Sequence, residues 1–349
     1  MEYIGMDVHK RESQVCIVDA TGTVVVEARI RTTRERVSAL LGGRPRARIV
    51  LEASTESEWV AQCLEGHGHE VIVADPTYAP MYAARTRRVK TDRRDARALA
   101  EASRVGTYRA AHRLGARRRE LRATLAMREA LVRTRTRYVA LVRALLRREG
   151  VGLPSGSAER FGPRFEAAPL PAALRTQLVP LVELLAPLEA ALQRVDQTLA
   201  AQLAAEPAAG WLQSVRGVGP VTTAAVVAAL DTPQRFASAH HAAAYLGLVP
   251  REWSSGDRHH RGAITKTGNR RARTMLVQAA WVVWRDRHPD TAPLRAWATR
   301  LAQRRGTRIM AVALARRLAG ILFALWRDGT RFDPARLTRP APRATEVAA

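Results

Sequence analysis

Two apolar segments near the start of the chain each run straight into an acid. Tyr3-Ile4-Gly5-Met6 meets Asp7, and Ile49-Val50-Leu51 meets Glu52. A carboxylate closing a buried strand is costly without a partner, so each acid either turns to solvent at its strand end or meets a partner in the fold. A third acidic feature lies further on. Thr91 is a good N-cap and Asp92 a good first-turn residue for the helix that Ala98-Leu99-Ala100-Glu101-Ala102 favours. Three residues apart, Asp92 and Asp95 share a face of that helix. Side by side they repel unless a cation stands between them. That cation is either the surrounding Arg88, Lys90, Arg93, Arg94 and Arg97, as a solvated ion-pair surface, or a divalent metal ion.

The segments around these acids read as a defined order. Strands are expected at residues 3–8, 14–19 and 24–30, with a turn at Asp19-Ala20-Thr21-Gly22. A helix over 33–41 ends at Gly42-Gly43, a strand follows at 47–52, and a helix over 56–65 closes at Gly66. A fifth strand at 70–74 stops at Asp75-Pro76, and then comes the Asp92 helix. Three meandering strands, helix, strand, helix, strand, helix is the order of the RNase H-like (RuvC-like) fold. In that fold metal-binding acids come from the first strand, the fourth strand and a late helix, the places held here by Asp7, Glu52, Asp92 and Asp95. Hard carboxylate oxygens suit Mg²⁺ or Mn²⁺. One or two such ions would orient a water or hydroxyl against a phosphodiester.

Composition points to the substrate. The 349 residues carry 57 basic and 32 acidic side chains, a formal net charge of +25. A chain this basic over every segment meets a polyanion, and nucleic acid is the commonest. Only three of the basic residues are lysines, Lys10, Lys90 and Lys266, and each falls in a motif below. Two cysteines, Cys16 and Cys63, are too few for a disulfide framework or a zinc cluster. The N-terminus has no signal pattern, and the apolar run near Ile321 is interrupted by Arg316 and Arg317. The expectation is a cytoplasmic protein with no membrane partner.

Residues 113–149 are Arg-rich, with Leu125, Val132, Val139 and Leu146 repeating every seven, which predicts a long helix with a coiled-coil-like seam. Residues 150–171, rich in Gly and Pro, read as a connecting loop. A second seam runs from Leu174 to Leu199, with Pro180 and Pro187 inside it as kinks or restarts. It is either a helical hairpin on its own domain or a dimerising arm. After Gly210, Val215-Arg216-Gly217-Val218-Gly219-Pro220 resembles a helix-hairpin-helix turn, whose backbone N–H groups receive a DNA phosphate. Helices are expected at 221–230 and 236–246. A polar, basic loop then spans residues 251–270, and such loops generally carry function. His259 and His260 in it could serve as acid, base or phosphate contacts. Three helices fill 271–329. The expected division is a nuclease domain at 1–110, a helical arm at 111–208, a mostly helical domain at 209–330 and a disordered tail at 331–349.

At this level of detail the chain resembles the DEDD transposases of the insertion sequence 110 family, over nearly its whole length. Gly5-Met6-Asp7-Val8-His9-Lys10, Glu52-Ala53-Ser54 and Lys90-Thr91-Asp92-Arg93-Arg94-Asp95-Ala96 resemble its three acidic motifs. Ser255-Gly256, Arg261-Gly262 and Thr265-Lys266-Thr267-Gly268-Asn269 resemble its C-terminal serine motif. The chain departs from the pattern at His9, where a small residue is common, and at Thr55, where glycine is common. The resemblance implies an α/β RuvC-like nuclease domain, a helical arm and a mostly helical transposase domain. It implies that Asp7, Glu52, Asp92 and Asp95 hold Mg²⁺ or Mn²⁺ and that Ser255 attacks the scissile phosphate, with Ser254 as its rival. Nucleic-acid contacts would come from Lys10, Lys90, Gly217, Gly219, Arg258, Arg261, Lys266 and Asn269. The implied partners are donor and target DNA, an element-encoded guide (bridge) RNA that pairs with both, and further copies of the chain in a dimer or tetramer. Two other readings remain: a RuvC-like junction nuclease without serine chemistry, and a non-catalytic nucleic-acid binder. An actin-like sugar kinase would need a second copy of the fold, and residues 210–330 read as helices.

Overall fold

The computed structural model describes residues 1–82, 91–255 and 258–337. The chain divides into two compact units, Met1–Leu114 and Gly115–Ala349. The expected arm and the expected C-terminal domain both fall in the second.

The first unit is built on a five-stranded sheet. Its strands are β1 (Tyr3–Val8), β2 (Glu12–Val18), β3 (Val24–Arg31), β4 (Arg48–Glu52) and β5 (Glu70–Ala74). They lie in the order β3-β2-β1-β4-β5. β1 pairs antiparallel with β2, and β2 with β3, whereas β1/β4 and β4/β5 are parallel. Helices α1 (Arg34–Leu41) and α2 (Ser57–Gly66) supply the crossovers, and α3 (Asp92–Val105) follows β5. Side-chain alternation along the strands sorts residues to two faces. Ile4, Met6, Ile49 and Leu51 pack with Val37, Leu41, Val60 and Leu64 on the α1/α2 side. Tyr3, Cys16 and Val18 pack with Ala96 and Ala100 of α3 on the other, and Val50 with Leu99 and Ala102.

The second unit begins with α4 (Ala116–Arg148), followed by α5 (Phe161–Glu166), α6 (Ala172–Glu183) and α7 (Leu185–Ala204). Arg128 pairs with Asp196 and Arg135 with Glu189, so α4 and α7 run antiparallel. The apolar clusters lie toward the ends of the seam, where Leu121 and Leu125 join Leu199 and Leu203, and Val142 and Leu146 join Leu178 and Val182, with Leu192 buried between the two ion pairs. Pro180 stays inside α6; the helix breaks instead at Leu184, which puts Pro187 in the first turn of α7, where a missing N–H leaves no bond unmade. The connecting loop expected at 150–171 holds a short helix, α5, because Phe161 and Phe165 are buried in that outer core.

The main core belongs to α8 (Ala209–Leu212), α9 (Pro220–Leu230), α10 (Ala239–Tyr245), α11 (Arg270–Arg285), α12 (Ala292–Arg305) and α13 (Thr307–Asp328). Between α10 and α11 the expected loop is an antiparallel hairpin, β6 (Pro250–Ser255) and β7 (Arg258–Ile264). The first part of the expected tail is packed: Phe332 and Leu337 lie on the core, and the Phe332 N–H donates to Ser214 Oγ at 2.8 Å. The rest of that tail lies outside the described residues. α13 is long and apolar enough to cross a bilayer by length and composition. Its Met310, Leu314, Leu318 and Leu322 are instead fully buried in the core, and Arg317 stacks over Trp297, 4.9 Å from the ring centroid.

Candidate metal centre and serine hairpin

The strand alternation that buries Met6 and Leu51 toward α1 and α2 sends Asp7 and Glu52 to the opposite face, beneath α3. Met6 stands opposite Leu51 in the parallel β1/β4 register, so the two acids leave neighbouring strands at the same level. α3 can come close to that face because Gly5 offers no side chain. A Cβ there would lie 2.1 Å from both the Ala100 nitrogen and the Ala96 oxygen. Thr91 caps α3, accepting from the Arg94 N–H at 3.3 Å, and places Asp92 and Asp95 in the first turn. Carboxylates are favoured there by the helix dipole. On the other side of the helix Glu27 of β3 receives Arg93 and Arg97 and ties α3 down.

Asp7 is 7% exposed and Asp95 4%. Glu52 is half-buried, and Asp92 lies at the surface. The Asp7 carboxyl is pushed above its ordinary range, chiefly by burial; His9 opposes this, and the charges of Asp95, Asp92 and Glu52 add to the rise. The charges of the other three acids therefore all act on Asp7. His9 Nε2 lies 3.3 Å from Asp7 Oδ2 and 3.5 Å from Asp92 Oδ1. Among the described residues, Asp7, His9 and Asp92 form the group of three whose donor atoms all lie within 4.8 Å of one another. The Tyr82 hydroxyl donates to Glu52 Oε2. Lys10 is exposed beside His9; Lys90 lies outside the described residues.

The serine motif occupies the hairpin. Ser254 stands opposite His259 and Ser255 opposite Arg258. Gly256 lies outside the described residues, and only the backbone of Ser254, Ser255, Arg258 and Arg261 is described. Trp253 is exposed and faces His260 across the strands, ring centroids 5.7 Å apart. A Cβ on Gly262 would meet that indole at 2.7 Å. The base of the hairpin is fixed by Thr265 N–H to Val249 O at 2.9 Å and Lys266 N–H to Gly247 O at 3.1 Å. Gly268, at φ +70°, abuts Tyr245 O, and Asn269 caps α11 through the Ala272 N–H at 3.0 Å. Lys266 is exposed at φ 58°. Gly217, at φ +86°, packs on Val283, and Gly219 is exposed just before α9.

Residues 4–149 match the transposase family DEDD_Tnp_IS110, and residues 209–294 match the family described as "Transposase IS116/IS110/IS902 family". A "Probable family 20 transposase" of Pseudomonas aeruginosa is 31% identical over 337 residues, which cover 95% of this chain and 98% of that one. The chain belongs to the IS110 family of transposases. The "Transposase for insertion sequence element IS1111A" of Coxiella burnetii is 28% identical, over 93% of this chain and 89% of its own length. A "Pilin gene-inverting protein" of Moraxella bovis is 30% identical over 127 residues, 36% of this chain and 38% of that one.

An IS110-family transposase cuts and rejoins DNA, and the carboxylate set fits the divalent ion such chemistry uses. Asp95, Asp92 and Glu52 all raise the cost of charge on the buried Asp7, a cost that a hard cation beside it would relieve. Three contributors were missed in reading the sequence. Gly5 sets the approach of α3, and its signal was a glycine inside an otherwise apolar strand. His9 follows Asp7 by two, the strand period that puts both on one side. Tyr82 sits thirty residues from Glu52 and had no local signal.

Proposed function

We propose that this chain is an RNA-guided DNA transposase of an insertion element, with an RNase H-like metal centre and a serine nucleophile. The observation that carries the reading is that Asp7 and Glu52 leave neighbouring parallel strands at one level beneath α3, whose first turn brings Asp92 to within reach of Asp7 through His9. The antiparallel β3-β2-β1 and parallel β1-β4-β5 pairings, with α3 over the acidic face, support the RNase H-like assignment. Asp7, Glu52, Asp92 and Asp95 would hold Mg²⁺ or Mn²⁺. Such an ion supplies positive charge that offsets charge on the phosphate oxygens and eases deprotonation of the attacking hydroxyl.

Ser255 Oγ then attacks the scissile phosphorus. A serine–phosphate ester forms, the DNA P–O ester bond breaks, and the departing strand leaves as a hydroxyl after taking up a proton. A serine is a weak nucleophile at neutral pH without such activation. Arg258, Arg261 and Lys266 offset the charge that builds on the phosphate. Attack by a hydroxyl of the second DNA on the phosphoserine restores the serine and joins the strands. The bond energy is kept in the ester, which is what rejoining without an external energy source requires. Lys10, Lys90, Gly217, Gly219 and Asn269 would contact nucleic-acid backbone. A guide RNA paired with donor and target DNA, and a dimer or tetramer of the chain, complete the assembly; the +25 charge is suited to several polyanions at once. The name of the Moraxella relative, a gene inverter, supports strand exchange over simple hydrolysis.

The test is a denaturing gel of the protein with RNA and labelled donor DNA. A DNA-linked protein band that needs a divalent ion and disappears in Ser255→Ala, but persists in Ser254→Ala, is the expected result. Metal-dependent cutting with no linked band would establish the junction-nuclease reading instead.

A further inference from the structure

We propose that His9 is a direct ligand at the acid cluster, so that Asp7, His9 and Asp92 form a mixed oxygen–nitrogen site that takes Mn²⁺ in preference to Mg²⁺. The inference rests on the metal reading above and deepens it, because none of the four acids supplies a nitrogen. His9 directs one atom, Nε2, at two carboxylate oxygens, 3.3 Å from Asp7 and 3.5 Å from Asp92. Donors that share an ion at about 2.1 Å lie roughly 3.0–3.5 Å apart along the edges of its coordination polyhedron, so this spacing needs little adjustment. The three donors come from two separate elements, the end of β1 and the first turn of α3. That convergence is fixed by the Gly5 contact beneath them.

The backbone at His9 is also held. Its carbonyl accepts from Thr32 Oγ1 at 2.7 Å, and Thr32 Oγ1 lies 2.8 Å from Ser13 Oγ. The rings of contact therefore run from β3 through β2 to the residue just past β1. The imidazole itself is 56% exposed and Asp92 57%, so an ion reaches them from solvent without opening the core. Imidazole nitrogen is a poor ligand for Mg²⁺, which keeps oxygen and water around it, and a better one for later divalent ions including Mn²⁺. Replacing one oxygen by nitrogen changes which ion the site prefers, while the carboxylates still set its overall charge.

The experiment uses the full chain stripped of metal and titrated with Mn²⁺, read by the loss of the free-ion electron paramagnetic resonance signal and by nitrogen modulation in pulsed spectra of the bound ion. Mg²⁺ competition gives the second affinity. The wild type should show nitrogen coupling that His9→Ala and His9→Asp both remove. His9→Ala should weaken Mn²⁺ by about tenfold or more and leave Mg²⁺ nearly unchanged. His9→Asp, which keeps an oxygen donor, should restore most of the total affinity but bring the two ions' affinities together. Circular dichroism establishes that each variant is folded. Nitrogen coupling that persists in both variants, or an unchanged Mn²⁺/Mg²⁺ ratio, overturns the proposal while leaving the carboxylate site standing. A wild type that binds neither ion, indistinguishable from Asp7→Asn, overturns the metal reading as well.

Discussion

The acid cluster and the serine hairpin are built in opposite ways. The acids are scattered over the sequence and brought together by long-range packing: two strand ends, one helix turn and a glycine that lets them meet. The serine motif is continuous in the chain and sits on a two-stranded hairpin whose Trp253 is exposed. A two-stranded hairpin is marginal by itself, whereas a helix seated on a five-stranded sheet moves only if the core moves. Precision in the first region comes from burial. In the second it has to come from whatever the hairpin grips.

The sharpest way to break this contrast is to remove chemistry from each side separately. Asp7→Asn and Ser255→Ala should each lower transposition by about a thousandfold or more. If the acids prepare the serine for attack, the covalent protein–DNA band should vanish in both. A linked band at wild-type level in Asp7→Asn would mean that the two regions act on different steps.

Packing gives the next largest difference. Gly5→Ala puts a methyl group into the α3 backbone at 2.1 Å, where no flexible side chain can yield. The expected cost is about 3 kcal/mol or more, seen as a melting temperature well below wild type, with metal binding lost because Asp92 and Asp95 ride on the displaced helix. Gly262→Ala also makes a close contact, at 2.7 Å, but with the exposed Trp253 ring, which can swing away. It should leave the melting temperature within about a degree and alter tryptophan fluorescence instead. Equal destabilisation by both substitutions would erase the difference between the two regions.

The same difference explains what could be read from the sequence. The order of strands and helices in the first unit was legible because period-2 apolar runs, Thr caps and Gly stops agree with one another. Asp7, Glu52, Asp92 and Asp95 stood out because each breaks or caps such a pattern. The Tyr82–Glu52 bond and the closeness of α3 to Gly5 were not legible, since both depend on contacts between distant residues. In the second unit the hairpin was read as a loop. Its turn signal, Gly256-Asp257 between two polar runs, was present, but neither run alternates apolar with polar residues as a half-buried strand does. Leu125 and Leu146 of the expected seam are buried, yet Arg128 and Arg135 flank the buried Leu192 in its middle with ion pairs that a heptad count cannot see.

The smallest effect concerns how firmly α3 is held. The hydrogen bonds that Arg97 and Arg93 donate to Glu27 pull its carboxyl from 4.5 down to about 2. A carboxyl whose folded value lies below its unfolded one adds stability above the unfolded value, and that stability is lost as pH falls through the folded one. The wild type should therefore lose this contribution between about pH 4.5 and pH 2, and Glu27→Gln, which has nothing to protonate, should not. The arginines are 64% and 49% exposed, so solvent screens the pairs and the loss at neutral pH should be about 1 kcal/mol or less. Melting temperatures across that range check it: the wild-type and Glu27→Gln curves should converge toward pH 2. Curves that stay parallel would mean that α3 is seated by Gly5, Ala96 and Ala100 alone, and that the arginine clasp around the acid-bearing turn serves the nucleic acid rather than the fold.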